Sequence, residues 1–169
     1  MRIYFAITSA CLLIVSLSAC SLATPQPADN LTIINVGRAT SFANGSVTAV
    51  DLPTSFNDPD PAAIGSATPG VVTRLPVAAV SPVHIFLVRE STGNFLALYA
   101  RDPRNGCQIK WVEQQKLFAD PCHGSQYSVQ GLWLIGPSPR SMDTFKVIVA
   151  ASGDVTVDVG QFQMGSKHP

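Results

Sequence analysis

The sequence predicts an all-β domain, built as an antiparallel β-sandwich or barrel. Short β-branched runs recur along the chain, and turn residues separate them. The 169 residues include 13 Pro and 12 Gly, and we find no amphipathic helical pattern, no heptad and no internal repeat. A chain of this length fits one domain. Many short strands joined by Gly and Pro turns are typical of small sandwiches and barrels.

The expected strands follow one another in chain order. The runs 31–36 and 46–52 flank Asn44-Gly45, a dipeptide that favours a hairpin between them. Residues 53–70 are rich in proline, and we expect a long surface loop or crossover there. Two further hairpins and one single strand complete the set: 83–90 with 95–102, 132–135, and 145–151 with 154–159. In the last run Val alternates with Asp and Thr, which predicts one buried face and one wet face.

The first twenty residues are typical of a targeting segment. Met1 and Arg2 precede an apolar run that is too short for a confident transmembrane helix. The run ends in Leu-Ser-Ala before Cys20, which resembles the lipobox of bacterial lipoproteins. This resemblance implies a signal peptide over 1–19, a lipid on Cys20 and a flexible tether over 20–30. The mature protein would then be a membrane-anchored, extracytoplasmic lipoprotein of a bacterium; the alternative is an ordinary signal peptide with an incidental cysteine.

Charge and motif content exclude several function classes. The 11 Lys and Arg cancel the 11 Asp and Glu, so the electrostatic basis for nucleic-acid binding is missing. The sequence contains no serine-hydrolase triad pattern, no phosphate-binding P-loop and no Gly-rich dinucleotide fingerprint. We therefore expect a protein that is not an enzyme by itself.

Two of the four cysteines remain outside the targeting segment. They are Cys107 and Cys122. In an oxidising extracytoplasmic compartment, two remaining cysteines most often pair. Closing a loop of about fifteen residues would stabilise the fold by roughly 3 kcal/mol in the chain-entropy treatment.

Motifs that suggest chemistry lie between residues 101 and 140. They are Gly106-Cys107 with Trp111, then the segment 120–125 (Asp-Pro-Cys-His-Gly-Ser), then Gly136-Pro137-Ser138-Pro139. This stretch resembles the cluster-binding part of Rieske iron–sulfur proteins of cytochrome bc and b6f complexes, whose second loop reads Cys-Pro-Cys-His-Gly-Ser. The resemblance covers about 71–163. It implies a Rieske-like domain over 31–163, with a small loop-rich subdomain of the cluster-binding type and a tail at 164–169.

The resemblance also assigns roles to single residues. The family's cysteine ligands would fall at Asp102 and Asp120, and its histidine ligands at Arg104 and His123, so that only His123 keeps a ligand-type side chain. The resemblance implies a disulfide that joins the two loops, in agreement with the compartment argument. The remaining family positions are expected to support the loops; they are Ser125, Tyr127, Gly136, Pro137 and Pro139.

A Rieske 2Fe–2S cluster needs two thiolates on one iron and two imidazoles on the other, so no such cluster is expected at these positions. Three arrangements remain open. Arg104 could pair with Asp102 and Asp120, the three side chains could all point to solvent, or Asp102, Asp120 and His123 could bind a divalent metal. His84, Trp111 and Trp133 are expected to be structural.

Three functions remain as hypotheses. The first is a lipid-anchored Rieske-like domain that lacks the cluster and docks, as an accessory subunit, on a cytochrome or quinone-linked protein of a membrane electron-transfer complex. The alternatives are a 2Fe–2S electron-transfer protein and a divalent-metal binder.

Overall fold

The computed structural model describes residues 32–52 and 84–168. The expected signal peptide, the lipidation site at Cys20, the tether over 20–30 and the loop over 53–70 lie outside these residues. Within the described part, no helix is long and apolar enough to cross a membrane. The strands are β1 (Ile33–Arg38), β2 (Val47–Asp51), β3 (His84–Arg89), β4 (Phe95–Tyr99), β5 (Lys110–Val112), β6 (Leu117–Ala119), β7 (Gln126–Tyr127), β8 (Trp133–Ile135), β9 (Thr144–Val149) and β10 (Asp154–Gln163).

Two antiparallel sheets organise the described residues. The larger sheet has six strands in the order β1-β10-β9-β4-β3-β2, and the smaller has four in the order β5-β6-β7-β8. One short 3₁₀ turn, Ala39–Ser41, accompanies them. The predicted all-β fold class is therefore confirmed, and the smaller sheet with its loops forms the expected loop-rich part.

Two of the three predicted hairpins are confirmed. β3 pairs with β4, and β9 pairs with β10. The predicted hairpin between the first two strands is wrong, because β1 pairs with β10 while β2 pairs with β3. These two strands lie at opposite edges of the larger sheet.

The Asn44-Gly45 turn does form, but it does not join β1 and β2 as a hairpin; it contacts the end of β3 instead. Gly45 has a φ of +79°, and its N–H donates to the carbonyl of Arg89 at 2.7 Å. The Arg89 guanidinium donates to the carbonyls of Ala39 and Phe42 at 2.5 and 2.6 Å. These bonds hold the chain between β1 and β2 against the end of β3, so the two strands find their partners elsewhere in the sheet.

The alternation predicted for the final strand is confirmed as far as Val157, but Asp158, expected on the wet face, is only 9 % exposed, and Val159 is partly buried. Val155 and Val157 are fully buried. The strand continues beyond the predicted end, through an irregularity between Asp158 and Phe162, as far as Gln163. Sequence patterning missed β5, β6 and β7 because strands of two or three residues are too short to show a period.

Two apolar clusters form the core. In β3, Ile85 and Leu87 belong to one cluster while Phe86 and Val88 belong to the other, so this strand is buried on both faces. The second cluster joins the larger sheet to the smaller one, and its members from the smaller part of the fold include Ile109, Phe118 and Tyr127. The loops that begin and end near these residues are thereby held on a packed base.

Candidate functional site

Two six-residue loops with the same backbone hydrogen bonds lie at one end of the smaller sheet. In the first loop, residues 102–107, the N–H of Asp102 donates to the Cys107 carbonyl at 2.8 Å. The N–H of Gly106 donates back to the Asp102 carbonyl at 2.9 Å. Gly106 has a φ of +72°, a value that glycine adopts without steric cost.

The second loop, residues 120–125, repeats this arrangement. The N–H of Asp120 donates to the Ser125 carbonyl at 2.8 Å, and Gly124 N–H donates to the Asp120 carbonyl at 3.0 Å. Gly124 has a φ of +81°. Both loops therefore follow the pattern Asp-Pro-x-x-Gly, in which the aspartate opens the turn and the glycine closes it.

Asp102 is fully buried, and both of its carboxylate oxygens accept hydrogen bonds. Its Oδ1 accepts from the backbone N–H of Arg104 at 2.8 Å. Its Oδ2 accepts from the phenolic hydroxyl of Tyr127 at 2.6 Å. Burial raises the pKa of Tyr127 far above its usual value, and the hydrogen bond to Asp102 raises it further. Tyr127 is therefore a neutral donor to Asp102.

The ion pair of Arg104 with the two aspartates is not formed. In the part of the chain that the structure describes, the Arg104 guanidinium is exposed and pairs with neither Asp102 nor Asp120. The reason is local, because each aspartate accepts the N–H two residues ahead of it, and this turn directs the carboxylate into the protein. Arg104 reaches Asp102 through its backbone alone.

Asp120 is also buried, with 2 % of its surface exposed, but its hydrogen bonding is incomplete. Its Oδ1 accepts from the N–H of Cys122 at 2.8 Å. Its Oδ2 is buried and has no hydrogen-bond partner in the described part of the chain. The Nδ1 atom of His123 lies 3.5 Å from that oxygen, beyond a good hydrogen bond. The two corresponding aspartates thus differ, since only Asp102 has both oxygens satisfied.

Asn105 connects the two loops, and sequence reasoning missed it. Its Nδ2 lies 2.6 Å from Nδ1 of His123, and its Oδ1 accepts from the N–H of Cys107 at 2.9 Å. His123 remains 48 % exposed. The repeated Asp-Pro-x-x-Gly spacing could have drawn attention to Asn105, because it occupies the place in the first loop that His123 occupies in the second.

The expected disulfide between Cys107 and Cys122 is confirmed. Their Cα atoms are 6.3 Å apart, and the bridge joins the two loops. The two sulfurs and a carboxylate oxygen of Asp120 all lie within 4.8 Å of one another. Cys122 is exposed, so the bridge is open to solvent on that side.

The proline-containing segment 136–139 packs directly against the second loop. A Cβ atom on Gly136 would lie 2.5 Å from the Cα of Ser125, so only glycine fits there. The N–H of Ser138 donates to the Oγ of buried Ser125 at 3.2 Å. These contacts press residues 136–139 onto the base of the second loop, with Pro137 and Pro139 on either side of Ser138.

A buried ion pair that sequence reasoning did not single out supports the first loop. Arg140 donates to both carboxylate oxygens of Asp143 at 3.0 and 2.8 Å, and also to the Pro103 carbonyl at 3.2 Å. Asp143 accepts a further bond from the N–H of Gly165 at 2.9 Å. The C-terminal residues 164–168 are therefore attached to the Arg140–Asp143 ion pair through Gly165. The signal in the sequence was an arginine and an aspartate three residues apart, directly after the proline-containing segment.

His84, Trp111 and Trp133 have structural surroundings. The ring of His84 lies 2.9 Å from the side-chain amide of Gln108, and burial lowers the pKa of His84. Trp111 packs on Phe118, and Trp133 stacks on His168 with ring centroids 3.8 Å apart.

Neither metal arrangement considered from the sequence fits these residues. A Rieske cluster needs two thiolates and two imidazoles, whereas both loop cysteines form a disulfide and His123 is the only loop histidine. The divalent-metal set of Asp102, Asp120 and His123 is not brought together in the described part of the chain. Asp102 uses both oxygens for Tyr127 and the backbone, so it is not available to a metal.

An exposed apolar strip borders the second loop. Leu132, Leu134 and Ile135 are 54 %, 50 % and 59 % exposed. Ile135 pairs with Gln126 directly after the second loop, and β8 is the edge strand of the smaller sheet. We call these three residues the β8 strip.

Comparison with known proteins finds one recurring type of relative. The chain is 37 % identical over 75 residues to the chloroplastic cytochrome b6-f complex iron-sulfur subunit of Chlamydomonas reinhardtii, a match covering 44 % of this chain and 36 % of that protein. It is 35 % identical over 68 residues to the cytochrome b6-f complex iron-sulfur subunit of Synechococcus sp. (strain JA-3-3Ab), covering 40 % and 39 %. The chain therefore spans less than half the length of these relatives.

A crystal structure of the cyanobacterial plasma membrane Rieske protein PetC3 from Synechocystis PCC 6803 also matches, at 28 % identity and a TM-score of 0.40. That match covers 44 % of this chain and 75 % of the other. No protein-family model matches the chain. The matches to iron–sulfur subunits, together with two loops joined by a disulfide on an all-β fold, support membership of the Rieske iron–sulfur protein family.

Proposed function

We propose that this protein is a Rieske-like domain without a 2Fe–2S cluster, which acts as a docking or accessory subunit of a membrane electron-transfer complex. A lipid on Cys20 would anchor it on the extracytoplasmic side of a bacterial membrane. The observation that carries the proposal is the hydrogen bonding of Asp102. This carboxylate is satisfied by Tyr127 and the Arg104 backbone, so neither oxygen of Asp102 is left over for iron.

The chemistry of the loops supports the loss of the cluster. Carboxylate oxygen is a hard donor that binds iron–sulfur clusters poorly in place of thiolate. Arg104 stands at a histidine ligand position, and a guanidinium is always protonated and cannot bind a metal. The disulfide and the bridging Asn105 hold the two loops together without a cluster.

The β8 strip supports the docking role. Leu134 and Ile135 lie on the edge strand β8 beside the second loop, Leu132 directly precedes that strand, and exposed large apolar residues grouped in this way are typical of interaction sites. The iron–sulfur subunits that the chain resembles are named as parts of a cytochrome complex, which suggests the kind of partner. We propose a membrane subunit that carries haem or quinone as the occupant of this surface.

Iron and acid-labile sulfide analysis of the purified protein tests the loss of the cluster. We expect a colourless protein with neither component, and no paramagnetic iron–sulfur signal after reduction. The protein should be prepared both from its host and after cluster reconstitution in vitro. A preparation with two irons per chain and visible absorption would instead identify a 2Fe–2S electron-transfer protein.

Capture from solubilised membranes tests the docking role. Wild-type protein should recover a subunit that mass spectrometry and haem or quinone analysis assign to an electron-transfer complex. Leu134→Lys should abolish this recovery. Val149→Lys is the matched control, because Val149 is equally exposed at 50 % but lies on β9 of the larger sheet. Equal recovery by both variants would contradict docking through the β8 strip.

Membrane attachment is tested separately. Cys20→Ser should move the protein from the membrane fraction to the soluble fraction if the lipid provides the anchor. Retention of this variant in the membrane would contradict a lipid anchor on Cys20.

A further inference from the structure

The disulfide and Asp120 lie close together, and neither the family assignment nor the docking role gives this combination a chemical function. The sulfurs of Cys107 and Cys122 and one Asp120 carboxylate oxygen lie within 4.8 Å of one another. Within residues 32–52 and 84–168, this is the one group of three potential metal ligands so close together. The oxidised bridge cannot supply thiolates, so this group has no metal-binding capacity until the bridge is reduced.

We infer that reduction of the Cys107–Cys122 bridge creates a zinc site, with both thiolates and the Asp120 carboxylate as ligands and water in the fourth position. Zinc accepts exactly these ligand types in a tetrahedral site, with Zn–S distances of about 2.3 Å. At that distance two thiolates on one zinc are roughly 3.8 Å apart. Small side-chain rotations achieve this separation for two cysteines whose Cα atoms are 6.3 Å apart.

Asp120 provides the independent observation that points to a cation. The residue is 2 % exposed, and its buried Oδ2 has no hydrogen-bond partner among residues 32–52 and 84–168, with His123 Nδ1 the nearby nitrogen at 3.5 Å. A buried carboxylate oxygen without a donor is costly, and a bound cation would satisfy it. Its Oδ1 is held by the N–H of Cys122, which fixes the carboxylate beside one of the two sulfurs.

The corresponding aspartate of the first loop lacks this property. Both oxygens of Asp102 accept hydrogen bonds, and Asp102 is not part of the group. The two loops share one backbone pattern, so the backbone does not explain why the aspartates differ in hydrogen bonding. What distinguishes them is that Asp120, and not Asp102, lies beside the disulfide. This pair of aspartates provides a matched comparison within one molecule.

The chemical step is a thiol–disulfide exchange followed by metal binding. A dithiol, small or protein-borne, donates two electrons and two protons to the sulfur–sulfur bond and becomes a disulfide itself. The two thiols of the protein then lose their protons as Zn²⁺ binds. Exposure of Cys122 gives the attacking thiolate access to the bridge.

Zinc titration of the purified full-length chain, oxidised or reduced with a phosphine, tests the inference. The reduced protein should bind one Zn²⁺ at least about 100-fold more tightly than the oxidised protein, with release of protons. Co²⁺ in place of zinc should give a thiolate-to-cobalt charge-transfer band in the reduced protein alone. Equal zinc affinity in the two redox states would overturn the inference.

Two variants and one stability measurement distinguish zinc bound at a site of the folded protein from zinc bound by the two cysteines alone. Asp120→Asn should weaken zinc binding by the reduced protein about 10-fold or more, whereas Asp102→Asn should leave it unchanged. Zinc should also raise the melting temperature of the reduced wild type, because a ligand stabilises only the state that it binds. If Asp120→Asn binds zinc as tightly as wild type, or zinc does not raise the melting temperature, the site does not exist in the folded protein. These results do not depend on the docking role, which is tested by capture.

Discussion

Tyr127 donates its phenolic hydrogen to Oδ2 of Asp102 at 2.6 Å, and both residues are completely buried. The bond joins β7 of the smaller sheet to the opening residue of the first loop. The disulfide joins Cys107, the last residue of the first loop, to Cys122 in the middle of the second, so the first loop is held at both of its ends. Several measurable properties of the protein should depend on these connections.

Removal of the Tyr127 hydroxyl should destabilise the fold. In Tyr127→Phe, Oδ2 of Asp102 would remain buried without a donor, and such a group costs about 1–3 kcal/mol. Tyr99→Phe is the matched control, because the Tyr99 hydroxyl is buried but has no hydrogen-bond partner among the residues that the structure describes. Urea unfolding curves of the two variants should show a lower midpoint for Tyr127→Phe and an unchanged or higher one for Tyr99→Phe. A similar loss in both would contradict a specific role for the bond to Asp102.

Reduction of the Cys107–Cys122 bridge in the absence of metal should lower the thermal stability. The bridge closes a loop with a sequence separation of 15 residues. Its loss should cost about 3 kcal/mol, mainly because the unfolded chain regains conformational freedom. Calorimetry of oxidised and reduced protein, with thiol content verified and a chelator present, measures the change. An unaltered melting temperature after complete reduction would be inconsistent with this role.

A side chain at position 136 should disrupt the packing of residues 136–139 on the second loop. Gly136→Ala places a Cβ atom 2.5 Å from the Cα of Ser125, and the φ of +107° adds backbone strain. We expect a loss of about 3 kcal/mol or more, since the clash is with backbone. Gly93→Ala is the control for the strain alone, because Gly93 also has a positive φ but has no atom within 4 Å of the added Cβ. Equal destabilisation of the two variants would show that the contact with Ser125 has no effect.

The stability should decrease as the pH falls below about 6.5, with His84 as one cause. Burial lowers the pKa of His84 in the folded protein. The negative charge of Asp51 acts to raise this pKa, and the positive charge of Arg101 lowers it further. The unfolded chain therefore takes up a proton at this residue at higher pH than the folded chain does. The stability that neutral His84 contributes is fully present above the pKa that this residue has in the unfolded chain. It is lost as the pH falls through the lower pKa of the folded protein.

His84→Gln should flatten this dependence. Denaturant unfolding at about pH 5 to 8, a range that brackets the ordinary histidine pKa, measures how the free energy of unfolding changes with pH in wild type and variant. His123 and His168 are present in both proteins, so the difference between the slopes reports His84 alone. Parallel slopes would show that His84 does not contribute.

Local sequence patterns predicted the fold class and most of the long strands. The hairpins β3–β4 and β9–β10 were predicted correctly because their strands are neighbours in the chain and their turns are short. The disulfide was also predictable, from the number of cysteines and from the family resemblance. The assignment of positions 102, 104, 120 and 123 to the family's ligand positions rests on the loop motifs alone and stays a prediction.

The tertiary structure decided which strands pair over long distances and how each side chain at the site is used. β1 joins β10 rather than β2, a pairing between opposite ends of the domain that no local turn signal encodes. Asp102 and Asp120 open loops of the same pattern, yet Tyr127 satisfies only Asp102, and none of the described residues donates a hydrogen bond to Oδ2 of Asp120. A sequence specifies which groups can donate and accept, but burial and distance determine which of them meet, and those depend on the packing of the whole fold.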